Sequence, residues 1–283
     1  ALDGALEQWQ ATPVRVDGRP ASVQGRRAWA DRVRALWRDA LVARYGGGEP
    51  EAGPSRLFDE PRRTDRWSLG DTSGLGDLPA LGDVQFTQIR VLSLARANLS
   101  TAQANDLLLH FPNLEELDLS GNRLTDLPQA LETQQRLTKV NLSGNELTIT
   151  PSIQARLNRL TSLQGLDLAG NRLTGLSVNA LMELQSLNVS RTQLRAWPEG
   201  VLDLSKLRFL DLSYSAITEV PNALWTDHDI LLAHTSLRGC RLSPQAITAV
   251  QAFAERTAPG TPSAFLYRNP LGIDRPVLAA GRT

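Results

Sequence analysis

The chain has 283 residues with 30 Lys or Arg and 30 Asp or Glu, so its formal net charge is zero. That balance argues against a dedicated nucleic-acid or anionic-membrane binder, which needs a surplus of basic residues. Cys240 is the only cysteine, which excludes an intrachain disulfide and a thiolate zinc cluster and favours a reducing compartment. The first residue is Ala1 rather than Met, and we expect the chain to be a piece of a longer protein.

The N-terminal region carries two stretches of apolar residues at helical spacing. Leu2, Leu6 and Trp9 predict a short helix, and residues 25–45 predict a longer one that ends at a run of three glycines. The longer stretch has this apolar stripe: Trp29, Val33, Leu36, Trp37 and Leu41. We therefore expect residues 1–56 to form a helical cap with its loop, and residues 57–83 to form a degenerate first repeat.

Residues 84–243 repeat the pattern L-x-x-L-x-L-x-x-N-x-L about seven times, with 21–26 residues between successive starts. Such self-similarity is typical of a leucine-rich repeat solenoid. The units begin at these residues: Ile89, Leu114, Leu137, Leu163, Leu184, Leu207 and Leu232. In each unit the alternating apolar positions predict a short strand, and the Asn, or the Thr, Ser or Cys that replaces it, predicts a hydrogen-bonded ladder between units.

The C-terminal side predicts a second cap. Ser243-Pro244 is typical of a helix start, and Ile247, Val250 and Phe253 follow at helical spacing, so residues 244–258 form a predicted capping helix. Residues 259–283 lose periodicity and are predicted to be a tail or a linker to a missing domain. The predicted fold is an α/β solenoid: a leucine-rich repeat horseshoe with a parallel concave sheet, an N-terminal helical cap and a C-terminal capping helix.

The N-terminal cap resembles that of a known family. Leu6-x-x-Trp9 and, after a polar spacer, Arg27, Ala30, Arg32, Val33 and Leu36-Trp37 resemble the cap of bacterial leucine-rich repeat effectors of the IpaH/SspH type. Members of that family end in a novel E3 ubiquitin ligase (NEL) domain. The resemblance implies that the repeats recognise a protein substrate and can restrain the ligase, which uses a catalytic Cys in a Cys-x-Asp setting.

Cys240 does not match that catalytic setting, because Arg241-Leu242 follows it, and it occupies the ladder position of the last unit. We expect a structural role for it and place any ligase domain beyond Thr283. The three histidines are scattered, so we predict no metal site, no cofactor and no catalytic residue in this chain. Asp118, Asp167 and Asp211 recur at one repeat position, which indicates a regular polar column rather than a pair of catalytic carboxylates.

Without an active site, the concave face is the default binding surface. Aromatic and Arg residues, which dominate the energetics of protein interfaces, gather in the C-terminal units. The candidate patch consists of these residues: Arg191, Arg208, Phe209, Asp211, Tyr214, His234 and Arg238. The same residues could instead pack on the C-terminal cap or on a missing domain.

The sequence thus predicts a protein-recognition module. Our first hypothesis is the substrate-binding region of an E3 ubiquitin ligase effector, a virulence protein that a bacterium secretes and that acts in the host cytoplasm. Its partner would be a host protein or the parent's own ligase domain, and not nucleic acid or a membrane. The alternative is a non-enzymatic interaction or scaffold protein. A receptor ectodomain is a weaker third hypothesis, because such repeats usually carry disulfide-bonded caps.

Overall fold

The structure, a computed structural model, describes residues 2–45, 65–70, 72, 74–225, 231–232 and 234–257. The predicted loop at 46–56 and the predicted tail at 259–283 lie outside these residues. The described chain forms a helical cap, a stack of repeats and a second cap, and one continuous set of buried apolar side chains runs through all three.

The N-terminal cap consists of two helices and a hairpin. Helix α1 (Leu2–Ala11) leads into the antiparallel pair β1 (Arg15–Val16) and β2 (Arg19–Pro20), and helix α2 (Val23–Tyr45) follows. Both helices agree with the predicted ones. The rings of Trp9 and Trp29 meet edge to face, 5.1 Å apart, and join α1 to α2. Leu41 is an exception to the predicted stripe, because it is 36% exposed.

One cation holds the two cap helices together. Arg26 is buried, and its guanidinium donates hydrogen bonds to the carbonyl oxygens of Trp9, Thr12 and Leu75 at 2.7–2.8 Å. It also lies over the ring of Trp9, with Cζ 4.9 Å from the centroid. The positive charge therefore faces carbonyls at the C-terminal end of α1, where a helix presents its negative end.

The repeats form one parallel sheet whose strands follow the chain order. These strands are β3 (Arg66–Ser68), β4 (Val91–Ser93), β5 (Glu116–Asp118), β6 (Lys139–Asn141), β7 (Gly165–Asp167), β8 (Ser186–Asn188), β9 (Phe209–Asp211) and β10 (Thr235–Ser236). The register never shifts, so Leu92, Leu117 and Val140 are paired across β4 to β6. Each of the seven predicted units contains one strand, from β4 to β10. Strand β3, in which Trp67 pairs with Leu92, places a further strand in the predicted degenerate repeat.

Short helical segments return the chain along the opposite side. They are α3 (Thr101–Leu108), α4 (Pro151–Leu157) and the 3₁₀ turns Gln129–Thr133, Val201–Asp203 and Asn222–Trp225. Each 3₁₀ turn follows an apolar residue and a proline, Leu127-Pro128, Trp197-Pro198 or Val220-Pro221, where proline fixes φ and ends the extended chain. Ser100 caps α3 with its hydroxyl, which accepts a hydrogen bond from the backbone of Gln103.

The predicted ladder stacks the units on one another. Asn145 accepts a hydrogen bond from the backbone N–H of Leu124 at 3.0 Å and donates to the carbonyls of Leu119 and Leu142. One side chain thus satisfies backbone groups of two neighbouring units. At the last ladder position the thiol of Cys240 donates to the carbonyl oxygen of Leu212 at 3.2 Å, which confirms its structural role.

The second cap is helix α5 (Pro244–Thr257), as predicted. The hydroxyl of Ser243 accepts a hydrogen bond from the backbone N–H of Ala246 at 3.1 Å, so Ser243 is the N-cap. Val250 and Phe253 are buried against the last units, whereas Ile247 is 43% exposed and does not belong to the packed face.

Candidate recognition surface

The strands end in a column of Asp and Asn side chains that shape the turns after them. In β5 to β9 the side-chain oxygen of the last strand residue accepts a hydrogen bond from the backbone N–H two residues later, at 2.9–3.1 Å. In β9 the Oδ1 atom of Asp211 accepts from both N and Oγ of Ser213. Because Asp211 is also only 3% exposed, it stabilises its own turn and presents little surface to a partner.

A second column of residues, three positions after the end of each strand, has left-handed backbone angles. We call it the left-handed column; it consists of Arg96, Gly121, Gly144, Gly170, Arg191, Tyr214 and Gly239, with φ between 53° and 72°. The backbone N–H of Arg191 donates to the carbonyl of Ser213, and that of Tyr214 donates to the carbonyl of Arg238. This hydrogen bonding along the column fixes the left-handed geometry whether or not the residue is glycine.

Three of the seven candidate residues meet at the C-terminal end of this column. The Arg191 guanidinium lies over the ring of Tyr214, with Cζ 5.0 Å from the centroid, and that of Arg238 lies 6.0 Å from the same centroid. Tyr214 is 44% exposed. Two guanidinium groups therefore lie within about 6 Å of one exposed aromatic ring. This arrangement suits contact with a planar or an acidic group of a partner.

Among the other candidates, Phe209 and His234 are in contact with each other, whereas Arg208 lies apart from both groups. The rings of Phe209, the first residue of β9, and His234, directly before β10, meet edge to face at 5.4 Å. Arg208 instead turns toward the loop before β9, where its Nη1 donates to the carbonyls of Ser205 and Leu207. The structure thus brings Arg191, Tyr214 and Arg238 together and separates Arg208 from them.

The sequence could have indicated why Arg191 and Tyr214 are special. In three units the residue before the ladder Asn is glycine: Gly121, Gly144 and Gly170. Arg191 and Tyr214 hold that same place before Thr192 and Ser215. A bulky residue aligned with a repeated glycine indicates a strained position, a signal separate from the chemistry of the two side chains.

Within the described residues, no group of three or more His, Cys, Asp or Glu side chains is arranged to hold a metal ion. His110 lies with Nδ1 2.7 Å from the carbonyl oxygen of Val84, in the turns beside α3. Among the same residues, no helix is both long and apolar enough to cross a membrane.

Family models match the repeats directly. A model described as Leucine Rich repeats (2 copies) matches residues 112–153, and one described as Leucine Rich Repeat matches residues 162–184. Both matched ranges lie within the parallel sheet and its ladder. The repeats form a leucine-rich repeat domain.

Several curated proteins are similar to part of this chain. Podocan of Mus musculus is 32% identical over 169 residues, which cover 60% of this chain and 23% of podocan. The flightless-1 homolog of Mus musculus is 33% identical over 47% of this chain and 12% of its own length. The chain therefore spans less than a quarter of the length of either relative.

Solved structures from Listeria monocytogenes resemble the domain in part. Internalin C2 aligns with 54% of this chain and 62% of its own, at 21% identity and a TM-score of 0.44. A second internalin, inlF, aligns with 60% of this chain and 46% of its own, at 20% identity and a TM-score of 0.48.

Proposed function

We propose that this leucine-rich repeat domain binds a partner protein through Arg191, Tyr214 and Arg238, with Phe209 and His234 beside them. The observation that carries the proposal is the contact of Arg191 and Arg238 with the exposed ring of Tyr214, made by two neighbouring residues, Arg191 and Tyr214, that both hold strained left-handed positions. Left-handed backbone costs a residue with a Cβ atom roughly 1–2 kcal/mol, and glycine fills the same column in neighbouring units.

Folding alone does not account for this cost. Both side chains project from the column into solvent rather than into the apolar core. The contact of Arg191 with the Tyr214 ring returns only about 0.5–1 kcal/mol at an exposed site. Strained residues persist where they serve function, and Tyr and Arg are the residues that most often dominate binding energy at interfaces.

The experiment compares variants that should keep the fold. The wild-type parent protein is immobilised and used to capture binding proteins from a cell extract, and the protein that it retains specifically is identified. We expect the double variant Arg191→Gly, Tyr214→Gly to lose that partner, because glycine fits the backbone but removes both side chains. Arg96→Gly is the matched control, since it makes the same change in the same column five rungs away from Tyr214.

A partner retained by the double variant would contradict the proposal, provided that circular dichroism shows an intact fold for every variant. Loss of the partner from the Arg96→Gly control as well would also contradict it. Phe209→Ala tests the neighbouring pair separately.

We further propose that the parent is a secreted bacterial effector that acts in the host cytoplasm as an E3 ubiquitin ligase, with this domain as its substrate-binding region. The support is the likeness of the cap residues on α1 and α2 to effectors of the IpaH/SspH type. Cys240 donates a hydrogen bond within the ladder, so the thioester cysteine of such a ligase would lie in another part of the parent.

A ubiquitin-transfer assay tests this second proposal. The parent and this 283-residue chain are each mixed with ubiquitin and its activating and conjugating enzymes. We expect ubiquitin chains with the parent and none with this chain. An inactive parent would contradict the ligase proposal and leave a non-enzymatic interaction or scaffold protein.

A further inference from the structure

A groove runs beside helix α3, on the side of the repeats that carries the short helical segments. One wall is α3 with the turn after it, and the other is the stretch at residues 77–85, which follows β3 in the chain. The groove has a volume of about 680 Å³, which lies within the range of about 300–1,000 Å³ typical of binding sites. Its apolar lining residues are Leu78, Pro79, Ala80, Leu81, Leu107 and Leu109.

Hydrogen bonds between the two walls fix the shape of the groove. Gln103 on α3 donates from Nε2 to Oδ1 of Asp77 at 3.2 Å. From the other wall, Gln85 donates from Nε2 to the carbonyl oxygen of Leu109 at 3.1 Å. The walls are therefore joined at both sides, and a ligand would not have to order them when it binds.

Leu109 is exposed at a position where the fold accepts a polar residue. It is the C-cap of α3, with φ of −60° and ψ of −21°, and it is 55% exposed. The C-cap of α4 is Asn158, which has nearly the same angles, −63° and −17°, and is also exposed. An asparagine thus fills the equivalent place two units later. Packing of the solenoid does not require a leucine at 109, so its apolar side chain is available to a ligand of the groove.

The rim of the groove is acidic. Three exposed carboxylates line it, those of Asp77, Asp83 and Asp106, and no Lys or Arg is among its described lining residues. None of the three forms an ion pair with a described residue. Beside α4, in contrast, Asp126 and Glu132 both pair with Arg156. The groove therefore combines an apolar floor with negative charge that the described chain leaves uncompensated.

We propose that this groove binds a segment of a partner protein that carries apolar side chains flanked by Lys or Arg. The apolar side chains would cover Leu109 and its neighbours, and the cations would face the three carboxylates. Complementary charge speeds association and disfavours acidic competitors, and apolar grooves are a common way to recognise amphipathic segments. The groove lies in the first repeat unit, whereas Arg191 lies in the fifth, so the inference does not rest on the proposed function.

Fluorescence anisotropy with a defined peptide tests the inference. The probe is a fluorescein-labelled amphipathic peptide of Leu and Lys, and its counterpart has Glu in place of each Lys. We expect the 283-residue chain to bind the Lys peptide saturably and the Glu peptide at least about tenfold more weakly, because like charges repel at the rim. Higher salt should weaken binding of the Lys peptide, since the rim charges are exposed and are screened.

One pair of variants tests the apolar floor. Leu109→Asn installs the residue that α4 carries at this place and should weaken binding of the Lys peptide roughly five- to tenfold, because about half the burial of a leucine is lost. Met182→Asn is the matched control. Met182 is 49% exposed and is not among the lining residues of the groove, so its replacement should leave the affinity unchanged.

A second pair tests the rim. Asp83→Asn with Asp106→Asn should weaken binding at least about fivefold and reduce its salt dependence. The control is Asp203→Asn with Glu219→Gln, which changes the net charge equally at two exposed sites in later units and should have no effect. Arg191→Gly with Tyr214→Gly should also bind the peptide like wild type, which separates this site from the proposed partner surface.

Three results would overturn the inference, provided that circular dichroism shows an intact fold for each variant. The first is no saturable binding of the Lys peptide. The second is an equal loss in the control variants, because the peptide would then recognise overall charge. The third is a dimer in sedimentation velocity that Leu109→Asn dissociates, because a second copy of the chain would then fill the groove.

Discussion

The guanidinium of Arg191 lies over the ring of Tyr214, and both residues have left-handed backbone, with φ of 55° and 56°. They belong to adjacent units of the solenoid, so two strained residues are stacked directly on each other. Between Gly121 and Gly170 the same column holds only glycine at this position. Arg96, in the first unit, is also a non-glycine residue in this column, but only at Arg191 and Tyr214 do two such residues lie in adjacent units with their side chains in contact, which is the basis of the proposed binding surface.

The strain at Tyr214 predicts an unusual order of stability between two variants. Tyr214→Gly should be more stable than Tyr214→Ala by about 0.5–1 kcal/mol, because relief of the left-handed strain exceeds the entropy cost of glycine. Both variants remove the ring equally, so their difference isolates the backbone. Urea denaturation with an unchanged m-value measures it.

An exposed helical site supplies the control for that comparison. At Gln251 in α5 the order should be reversed, with Ala more stable than Gly by about 1 kcal/mol. If Tyr214→Ala proves as stable as Tyr214→Gly, the backbone there is not strained and the argument for function loses its basis.

Much of the fold could be predicted because every unit has apolar residues and a ladder residue at the same positions. The strands and the ladder residue Asn145 follow from that pattern, and the N-cap Ser243 follows from the local signal of a serine before a proline. The burial of Arg26 could not be predicted, because it depends on carbonyls of Trp9 and Leu75 that are distant in sequence. The candidate site was less predictable than the fold, because no local sequence pattern indicates that Asp211 is buried and Tyr214 is exposed.

Removal of the Arg26 side-chain charge should loosen the N-terminal cap. Arg26→Met leaves three carbonyl oxygens without their donor, those of Trp9 and Leu75 in buried hydrogen bonds and that of Thr12 in a partly buried one, and we expect a loss of about 3 kcal/mol in the free energy of unfolding. Arg27→Met is the matched control: Arg27 is exposed, so the change should stay within about 0.5 kcal/mol. Fluorescence of Trp9 and Trp29 during urea unfolding would follow the cap, and equal effects of the two substitutions would contradict this role.

The ladder predicts graded losses according to the number of hydrogen bonds removed. Asn145→Ala breaks bonds to the backbone of Leu119, Leu124 and Leu142 and should cost about 2–4 kcal/mol. Thr192→Ala removes one bond, to the carbonyl of Val189, and should cost about 1 kcal/mol. Thermal and urea unfolding of both variants would check the order, and a Thr192 variant as unstable as the Asn145 variant would contradict it.

The packing of Tyr214 against Gly239 predicts a coupling that a double-mutant cycle can measure. A Cβ atom on Gly239 would lie 2.4 Å from Cδ1 of Tyr214, whereas one on Gly144 would have no atom nearer than 3.6 Å. Gly239→Ala should therefore cost more in the wild-type chain than in the Tyr214→Gly chain, by about 1 kcal/mol. In the second background only the left-handed strain remains, so the cost should match that of Gly144→Ala. Equal costs of Gly239→Ala in the two backgrounds would show that the ring does not rest on this glycine.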